Sequence, residues 1–356
     1  MKKFNRLFLA VIVSSAFFAS CSNDDDNNQE EASGNYKGGL FILNEGKFET
    51  PNGSVSYLSD NLTLENNIFS LVNPGKVTGD TAQNIGFQGD NAYVVVNASN
   101  KIEVVNRYTF KSIATITTGL KYPRYIAFAN GKGYVTNWGD PYNAADDYVA
   151  VIDLASNTVT SSIPVIEGPE KIVENNGKLY IAQKGGYGQG NSLTVINAAT
   201  NTVAANFAVG DVPTSLVKDN GALYILCAGR PSYAAPETAG KLVKVDLSTN
   251  TVTATLNFAD LTHPGFLDIN DSKFYYTVGN NIYTAATSAA SLPTTPLFKA
   301  SEVKILYGFA VKNNNIYIGD AVNYTDPGYA YIYSLTGTLS KTLNVGVSPN
   351  GFYFNN

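Results

Sequence analysis

A short phrase containing a tyrosine recurs six times along this chain of 356 residues. Successive copies are separated by 41, 46, 44, 51 and 42 residues, and the repeated tyrosines are Tyr93, Tyr134, Tyr180, Tyr224, Tyr275 and Tyr317. Recurrence at this spacing is typical of propellers and solenoids, in which one unit buries its faces only when neighbours stack against it. The repeat therefore limits the fold to an array of such units.

Each repeat predicts four antiparallel strands, which we call A to D. Strand A begins at a proline or its substitute, as at Pro123 and Pro169, and a turn rich in Gly, Asn and Asp leads into the tyrosine strand B. A β-branched strand C follows, and a turn opened by Asp or Asn, as at Asp153, leads into a polar strand D. No helical period appears after the N-terminal apolar run, so the pattern predicts an all-β fold of four-stranded propeller blades.

The two ends of the repeat array contain one divided blade. Repeats 2 to 7 cover residues from about 76 to 344, whereas segments at 38–46, 53–59 and 63–69 supply strands B, C and D without a strand A. The last segment, 345–354, is a strand A without a strand B. Pairing Gly351–Phe354 with Leu40–Leu43 would close a seven-bladed β-propeller. An open solenoid is the alternative, but it needs capping repeats with a polar outer face, and the sequence contains none.

Residues Tyr134–Asn137 spell YVTN. This tetrapeptide names a family of propeller repeats, and the segments 177–183 and 193–216 resemble its YncE-type branch. The resemblance covers nearly all of the chain after its leader and implies the propeller fold. It does not define a function, because such propellers include binders, scaffolds and enzymes.

The N-terminus predicts export and lipid anchoring. A basic segment, MKKFNR, precedes an apolar run of twelve residues that is too short to span a bilayer, and Phe18–Cys21 resembles a bacterial lipobox. We expect residues 1–20 to be a lipoprotein signal peptide, Cys21 to be lipidated, residues 21–35 to form an acidic flexible tether, and residues 36–356 to form the propeller. The acidic run resembles the tags of surface-displayed Bacteroidota lipoproteins, which implies an outer-membrane, cell-surface location; a plain solvated tether is the alternative.

Composition argues against several functional classes. The net charge of −5 and the pI near 5.0 disfavour nucleic-acid binding, which needs a basic stripe. The single histidine, His263, excludes a two-histidine metal site and is predicted to be a loop hydrogen-bonder. Cys227 lies in an apolar strand and is predicted to serve packing. The sequence therefore predicts no enzyme activity and no cofactor.

Aspartates in two loops raise the alternative of a Ca²⁺ site. Carboxylates in two loops could supply oxygen ligands to Ca²⁺, although neither loop has EF-hand spacing. The sequence favours solvated loop carboxylates instead, for Asp140, Asp146, Asp147, Asp320 and Asp326.

Loop lengths differ between the two faces of the predicted ring. The long insertions, at 44–53, 137–147, 183–191, 227–240 and 319–329, all fall between strands B and C, and every A–B and C–D turn is expected to be short. Aromatic side chains on loops above a rigid scaffold are typical of recognition surfaces, although some of them could simply pack the loops. The predicted ligand-binding residues are Phe48, Trp138, Tyr142, Tyr187, Arg230, Tyr233, Tyr324 and Tyr329, with Tyr122, Arg124 and Tyr307 near them on the D–A links.

The opening phrase GGLFILNEGKFETPNGSVSYL, on a YVTN-like propeller with a lipobox, resembles the Bacteroidota family that includes the cobalamin-capturing lipoprotein BtuG. The resemblance implies capture of a bulky nutrient, cobalamin or another corrinoid, and delivery to a TonB-dependent outer-membrane transporter. Glycan or peptide binding at the surface and a purely adhesive or scaffold role are the alternatives.

Overall fold

The computed structural model describes residues 33–140 and 142–356. The predicted signal peptide, Cys21 and nearly all of the predicted tether lie outside the described residues. Within the described part, seven antiparallel sheets of four strands each form the blades of a ring. None of the helices found there is long and apolar enough to cross a membrane.

The strands follow the predicted frame, and blades are numbered in chain order. Blade 1 contains β1 (Leu40–Asn44), β2 (Ser54–Leu58) and β3 (Leu64–Glu65), and a short helix, α1 (Ile68–Val72), leads to blade 2. Blade 2 contains β4 (Ala82–Gln88), β5 (Asn91–Val96), β6 (Lys101–Asn106) and β7 (Ser112–Ile116). Blade 3 contains β8 (Pro123–Ala129), β9 (Lys132–Asn137), β10 (Tyr148–Asp153) and β11 (Thr158–Pro164). Blade 4 contains β12 (Pro169–Asn175), β13 (Lys178–Gln183), β14 (Ser192–Asn197) and β15 (Thr202–Ala208).

The remaining blades complete the ring. Blade 5 contains β16 (Pro213–Asp219), β17 (Ala222–Cys227), β18 (Lys241–Asp246) and β19 (Thr251–Asn257). Blade 6 contains β20 (Leu267–Asn270), β21 (Lys273–Val278), β22 (Asn281–Ala286) and β23 (Phe298–Lys299). Blade 7 contains β24 (Leu306–Lys312), β25 (Asn315–Asp320), β26 (Pro327–Ser334) and β27 (Leu339–Val347), and the last strand, β28 (Pro349–Phe354), returns to blade 1.

The ring closes where the divided repeat predicted it. Strand β28 pairs with β1 in antiparallel register, with Leu40 opposite Phe354 and Leu43 opposite Gly351. Tyr317 of blade 7 packs on Phe352, with ring centroids 5.6 Å apart, so the closing strand also contacts the preceding blade. The predicted seven-bladed β-propeller and its closure are confirmed.

The core lies between blades because strands B and C are apolar on both faces. One cluster joins Val95 of blade 2 to Ile126 and Val135 of blade 3, and equivalent clusters join the other neighbours. Strands A of neighbouring blades contact one another, so they surround the centre of the ring. The predicted packing role of Cys227 is confirmed: the thiol is buried, and burial raises its pKa to about 12.

The repeated tyrosines of blades 2, 3 and 4 each connect their blade to the next. The Tyr134 hydroxyl donates to the Ala198 carbonyl at 3.0 Å and to Asn201 Oδ1 at 2.8 Å, and Tyr180 donates to Asn250 Oδ1 at 2.8 Å. Asn201 and Asn250 lie in C–D turns with φ of 54° and 57°, a left-handed conformation that asparagine tolerates. We call this contact the tyrosine clasp: strand B of one blade holds the C–D turn of the following blade.

Blade 6 departs from the frame. Its C–D connection spans eleven residues, 287–297, and β23 has only two residues, so the expectation that every C–D turn is short is wrong here. Pro293 and Pro296 lie in this connection and have no N–H to donate to a sheet. The outer edge of β22 is therefore paired only at Asn281 and Ile282.

Blade 1 departs from the frame at its strand D. The expected strand at 63–69 is limited to β3, and α1 follows it, so the expectation of a chain without helix is also corrected. Asn67 has a φ of 55° at the start of α1, which turns the backbone out of the extended conformation. Ile68 and Phe69 are buried, and Asn73 at the helix end donates to the Phe110 carbonyl at 3.0 Å. The helix thus seals the junction between blades 1 and 2.

Candidate functional site

One face of the ring carries the long loops. Strand parity places the B–C loops and the D–A links on this side, which we call the B–C face. Five B–C loops are long, at 45–53, 138–147, 184–191, 228–240 and 321–326, while those of blades 2 and 6 are short, at 97–100 and 279–280. The predicted asymmetry therefore holds for the B–C loops.

A glycine-rich hairpin in blade 4 displays Tyr187. Gly188 N donates to the Gly185 carbonyl at 2.6 Å, which closes the tip of the loop. The hairpin lies directly on the D–A link, since a Cβ at Gly168 would come within 1.8 Å of Gly186 N. Only glycine permits this backbone approach. The loop glycines thus position Tyr187, whose side chain is 62% exposed, above the ring.

Tyr187 contacts two other predicted site residues. Its ring lies 5.6 Å from the Trp138 ring in an edge-on arrangement and 5.8 Å from the Tyr142 ring. Trp138 is only 7% exposed and forms the base, whereas Tyr142 is 89% exposed. We call these three residues the aromatic shelf. The structure thus brings together aromatic side chains from the B–C loops of blades 3 and 4.

A buried ion pair supports the aromatic shelf. The Arg124 guanidinium stacks on the Trp138 ring at 4.2 Å and donates to Glu170 Oε1 at 2.8 Å and Oε2 at 2.9 Å. Burial opposes ionisation of Glu170, but the attraction of Arg124 outweighs it and holds the pKa of this carboxyl below its usual value. Both charges are therefore retained, and the bidentate pair fixes the guanidinium plane under the indole.

A second polar pair lies near the first, at the end of β1. Burial raises the pKa of the Glu45 carboxyl, which the neighbouring Tyr307 hydroxyl and the Arg124 charge partly oppose. Tyr307 packs edge-on against Tyr324 with centroids 5.3 Å apart. We call Glu45, Arg124, Glu170 and Tyr307 the polar centre. Because Arg124 and Glu170 both act on the Glu45 charge, blades 1, 3, 4 and 7 contribute to one electrostatic unit.

The other predicted site residues lie apart from the aromatic shelf. Phe48 and Tyr233 are exposed on their loops and make no aromatic contact within the described residues. Arg230 pairs with Asp211 at 3.5 Å and so holds the 228–240 loop. Tyr329 is corrected: it lies in β26 opposite Asp320 and not in the loop, because the strand begins at Pro327. Its ring lies 6.0 Å from the Tyr331 ring.

His263 has the loop role that the sequence predicted. One ring nitrogen lies 2.9 Å from the Ala228 carbonyl and the other 2.9 Å from Glu237 Oε1. The hydrogen bond with Glu237 raises the pKa of this imidazole. The histidine thus fixes both ends of the long loop of blade 5.

The loop aspartates are used within the fold. Asp320 is buried and accepts from Lys304 N at 3.0 Å and Ile305 N at 2.9 Å, and Asp147 is buried and accepts from Gly168 N at 3.1 Å. The expectation that these two carboxylates are solvated is therefore wrong. In residues 33–140 and 142–356, no group of three or more His, Cys, Asp or Glu side chains could hold a metal ion.

Sequence reasoning named Arg124 and Tyr307 but missed Glu45 and Glu170 of the polar centre. Arg124 and Glu170 each follow the proline that opens a strand A. The next residues are Tyr125 and Lys171, and the Lys171 ammonium lies 4.2 Å from the Tyr125 ring. The sequence signal for these residues was a charged side chain at the start of an innermost strand. That position is surrounded by protein, where an unpaired charge is costly, so a charge there indicates a buried partner.

The fold is a seven-bladed β-propeller whose long loops lie on one face. The chain belongs to the family described as Domain of unknown function (DUF5074), whose profile matches residues 38–354. Comparison with curated protein sequences finds no match.

Similar solved structures share the fold at low sequence identity. A quinonprotein alcohol dehydrogenase-like protein from Bacteroides thetaiotaomicron is 14% identical with a TM-score of 0.67, over 90% of this chain and 79% of that one. A functionally unknown protein from Desulfotomaculum acetoxidans is 12% identical with a TM-score of 0.65, over 89% and 98%. BamB from Moraxella catarrhalis is 13% identical with a TM-score of 0.52, over 88% and 85%. At these identities the likeness shows the fold alone.

Proposed function

We propose that this protein is a lipid-anchored, cell-surface binder without enzyme activity that captures a bulky nutrient on its B–C face. The best candidate ligand is cobalamin or another corrinoid, which would be passed to a TonB-dependent outer-membrane transporter. The observation that carries the proposal is the aromatic shelf beside the polar centre.

The aromatic shelf suits a wide, flat ligand. Tyr142 and Tyr187 expose most of their surface while Trp138 and Arg124 support them from below. Tyrosine buries a large area with few rotamers to lose, and its hydroxyl can bond amides. A corrinoid is a broad disc edged by amide groups, so it could stack on the two exposed rings and direct amides toward the polar centre.

The polar centre favours a neutral or amide-rich ligand over an anion. The charge of Arg124 is already neutralised by Glu170, and burial raises the pKa of Glu45. The Tyr307 hydroxyl can both donate and accept a hydrogen bond, as an amide partner requires. This supports a corrinoid above a phosphate-rich nutrient.

Trp138 provides a direct test because it is the only tryptophan of the chain. We would titrate residues 33–356 with cyanocobalamin and with cobinamide and follow tryptophan fluorescence. Since corrinoids absorb near-ultraviolet and visible light, a corrinoid on the aromatic shelf should quench Trp138 strongly. Tyr187→Ala and Tyr142→Ala should each weaken binding by about 1–3 kcal/mol, the range for a central aromatic anchor.

Two further variants test how far the site extends, and a third serves as the control. Tyr324→Ala tests whether the ligand reaches from the aromatic shelf to Tyr307, and Tyr233→Ala tests the loop of blade 5. Thr200→Ala, an exposed change in a C–D turn on the opposite face, should leave affinity unchanged. Absence of quenching by both corrinoids, or affinity that depends on Thr200 and not on Tyr187, would refute the proposal.

A further inference from the structure

A cavity of about 350 Å³ lies between blades 5 and 6. Its lining includes Phe258, Asp260, Tyr276, Tyr283, Leu292 and Thr294. The B–C loop of blade 6 spans only 279–280, and no residue of the aromatic shelf or the polar centre lines the cavity. It is therefore separate from the site proposed above.

The cavity forms where blade 6 departs from the repeat. Most of strand D is absent there, because β23 has only two residues and pairs with β22 only at Asn281 and Ile282. Tyr283 lies one residue beyond the last paired position. The lining from Ser291 to Thr294 belongs to the same connection, so it forms one wall of the cavity in place of a strand.

The opposite wall is flat and aromatic. Tyr283 stacks on Tyr276 with ring centroids 5.2 Å apart and planes within 5°. Tyr276 is 1% exposed and is held from behind by Phe258, edge-on at 5.3 Å. Tyr283 is only partly buried, so the stacked pair presents one rigid ring to the cavity. A pre-positioned aromatic ring loses little side-chain entropy when a ligand packs on it.

Polar groups line the same cavity, and none of them carries a positive charge. The Asp260 carboxylate makes no hydrogen bond within the described residues, and the hydroxyls of Ser291 and Thr294 lie at the same cavity. No Lys or Arg is among the lining residues, which disfavours an anionic ligand. A carboxylate and hydroxyls around an aromatic face can bond neighbouring hydroxyl groups of a ligand whose C–H face packs on the ring.

We propose that this cavity binds a pyranose unit of a neutral glycan. The volume is near the lower end of the range for small-molecule sites, about 300–1,000 Å³, and so suits one or two sugar rings. The sugar packs its C–H face on Tyr283, and Asp260 accepts hydrogen bonds from two adjacent hydroxyls. The protein then has a glycan site on its outer rim in addition to the recognition surface on its B–C face.

Saturation-transfer NMR on residues 33–356, which contain the complete ring, tests this site. The probes are the methyl glycosides of glucose, galactose, mannose and N-acetylglucosamine. At least one should receive saturation on its ring C–H protons and bind in the millimolar range. Tyr283→Ala and Asp260→Asn should each weaken that binding at least tenfold; asparagine tolerates the φ of 49° at position 260.

Two controls separate binding from folding. Thr294→Trp adds a side chain that fills the cavity and should abolish transfer without removing any existing contact. Tyr142→Ala, on the aromatic shelf, should leave sugar binding unchanged, so the two sites fail independently. Absence of transfer to all four glycosides, transfer that survives Thr294→Trp, or binding of a proline-rich peptide in place of the sugars would overturn the proposal.

Discussion

The tyrosine clasp predicts that the hydroxyls of Tyr93, Tyr134 and Tyr180 stabilise the ring. Tyr134→Phe keeps the buried ring and removes the hydroxyl donor that the Ala198 carbonyl, at 3.0 Å, and Asn201 Oδ1, at 2.8 Å, share. A hydrogen bond contributes about 1 kcal/mol net, and a buried acceptor that loses its partner costs about 1–3 kcal/mol. We expect a loss of about 2 kcal/mol in the free energy of unfolding, and the same for Tyr180→Phe.

Blade 5 provides a matched control for this prediction. Tyr224 has the same place in strand B, but the irregular C–D connection of blade 6 gives its hydroxyl no hydrogen bond within the described residues. Its ring packs on Phe274 with centroids 5.0 Å apart, a contact that phenylalanine preserves. Tyr224→Phe should therefore change the free energy of unfolding by less than about 0.5 kcal/mol.

Urea denaturation followed by Trp138 fluorescence and far-ultraviolet circular dichroism measures these differences. Coincident transitions from the two probes would show that the ring unfolds in one step. A double-mutant cycle of Tyr134→Phe with Asn201→Gly should give a coupling of about 1 kcal/mol, since glycine removes the side-chain acceptor and accepts the positive φ. Equal losses for Tyr134→Phe and Tyr224→Phe, or zero coupling, would refute the clasp.

Three further predictions concern pH, closure and anchoring. Burial raises the pKa of Asp147 from 3.8 to about 7, so the folded state retains a proton that the unfolded chain releases. Stability should fall as pH rises from about 4 to 7, and Asp147→Asn should reduce this fall by about 2 kcal/mol in denaturation curves across that range. An unchanged slope would exclude Asp147 as a source of the fall. Deleting residues 349–356 removes β28 and exposes the edge of β1, so it should lower the melting temperature sharply, and a melt like that of the full ring would contradict closure. Cys21→Ala should abolish lipid attachment, as measured by incorporation of a labelled fatty acid. Alanines at Asp24, Asp25 and Asp26 should reduce protease accessibility on intact cells while membrane association persists. Equal accessibility would show that the acidic run is a plain tether.

The sequence predicted the parts of the fold that repeat. The spacing of Tyr93 to Tyr317 identified the blades, and the unmatched segment at 345–354 identified the closing strand, because both follow from one frame. The C–D connection of blade 6 and helix α1 lie where the frame is interrupted. The prolines of the blade 6 connection and the positive-φ asparagine before α1 indicate that a regular strand ends, but they do not indicate what structure replaces it.

The candidate site was only partly predictable for a different reason. Loop length and composition pointed to Trp138, Tyr142 and Tyr187 on one face. The contact between Arg124 and Glu170 joins neighbouring blades, and their effect on Glu45 acts across the centre of the ring. Such proximity depends on how many blades close the ring and on where each strand A begins, so composition and spacing alone do not specify it.

The tyrosine clasps also explain why the B–C face is free to vary. They fasten strand B of one blade to the C–D turn of the next, on the face opposite to the long loops, so the ring does not depend on B–C loops that range from 2 to 13 residues. Blade 6 has lost the standard C–D turn, and with it the partner of Tyr224, and the cavity beside Tyr283 opens at the same place. In a repeat protein, a departure from the repeat that costs a stabilising contact is expected where another role compensates for it. The loss of the clasp at blade 6 and the aromatic wall beside it thus support the same inference, that this rim binds a ligand.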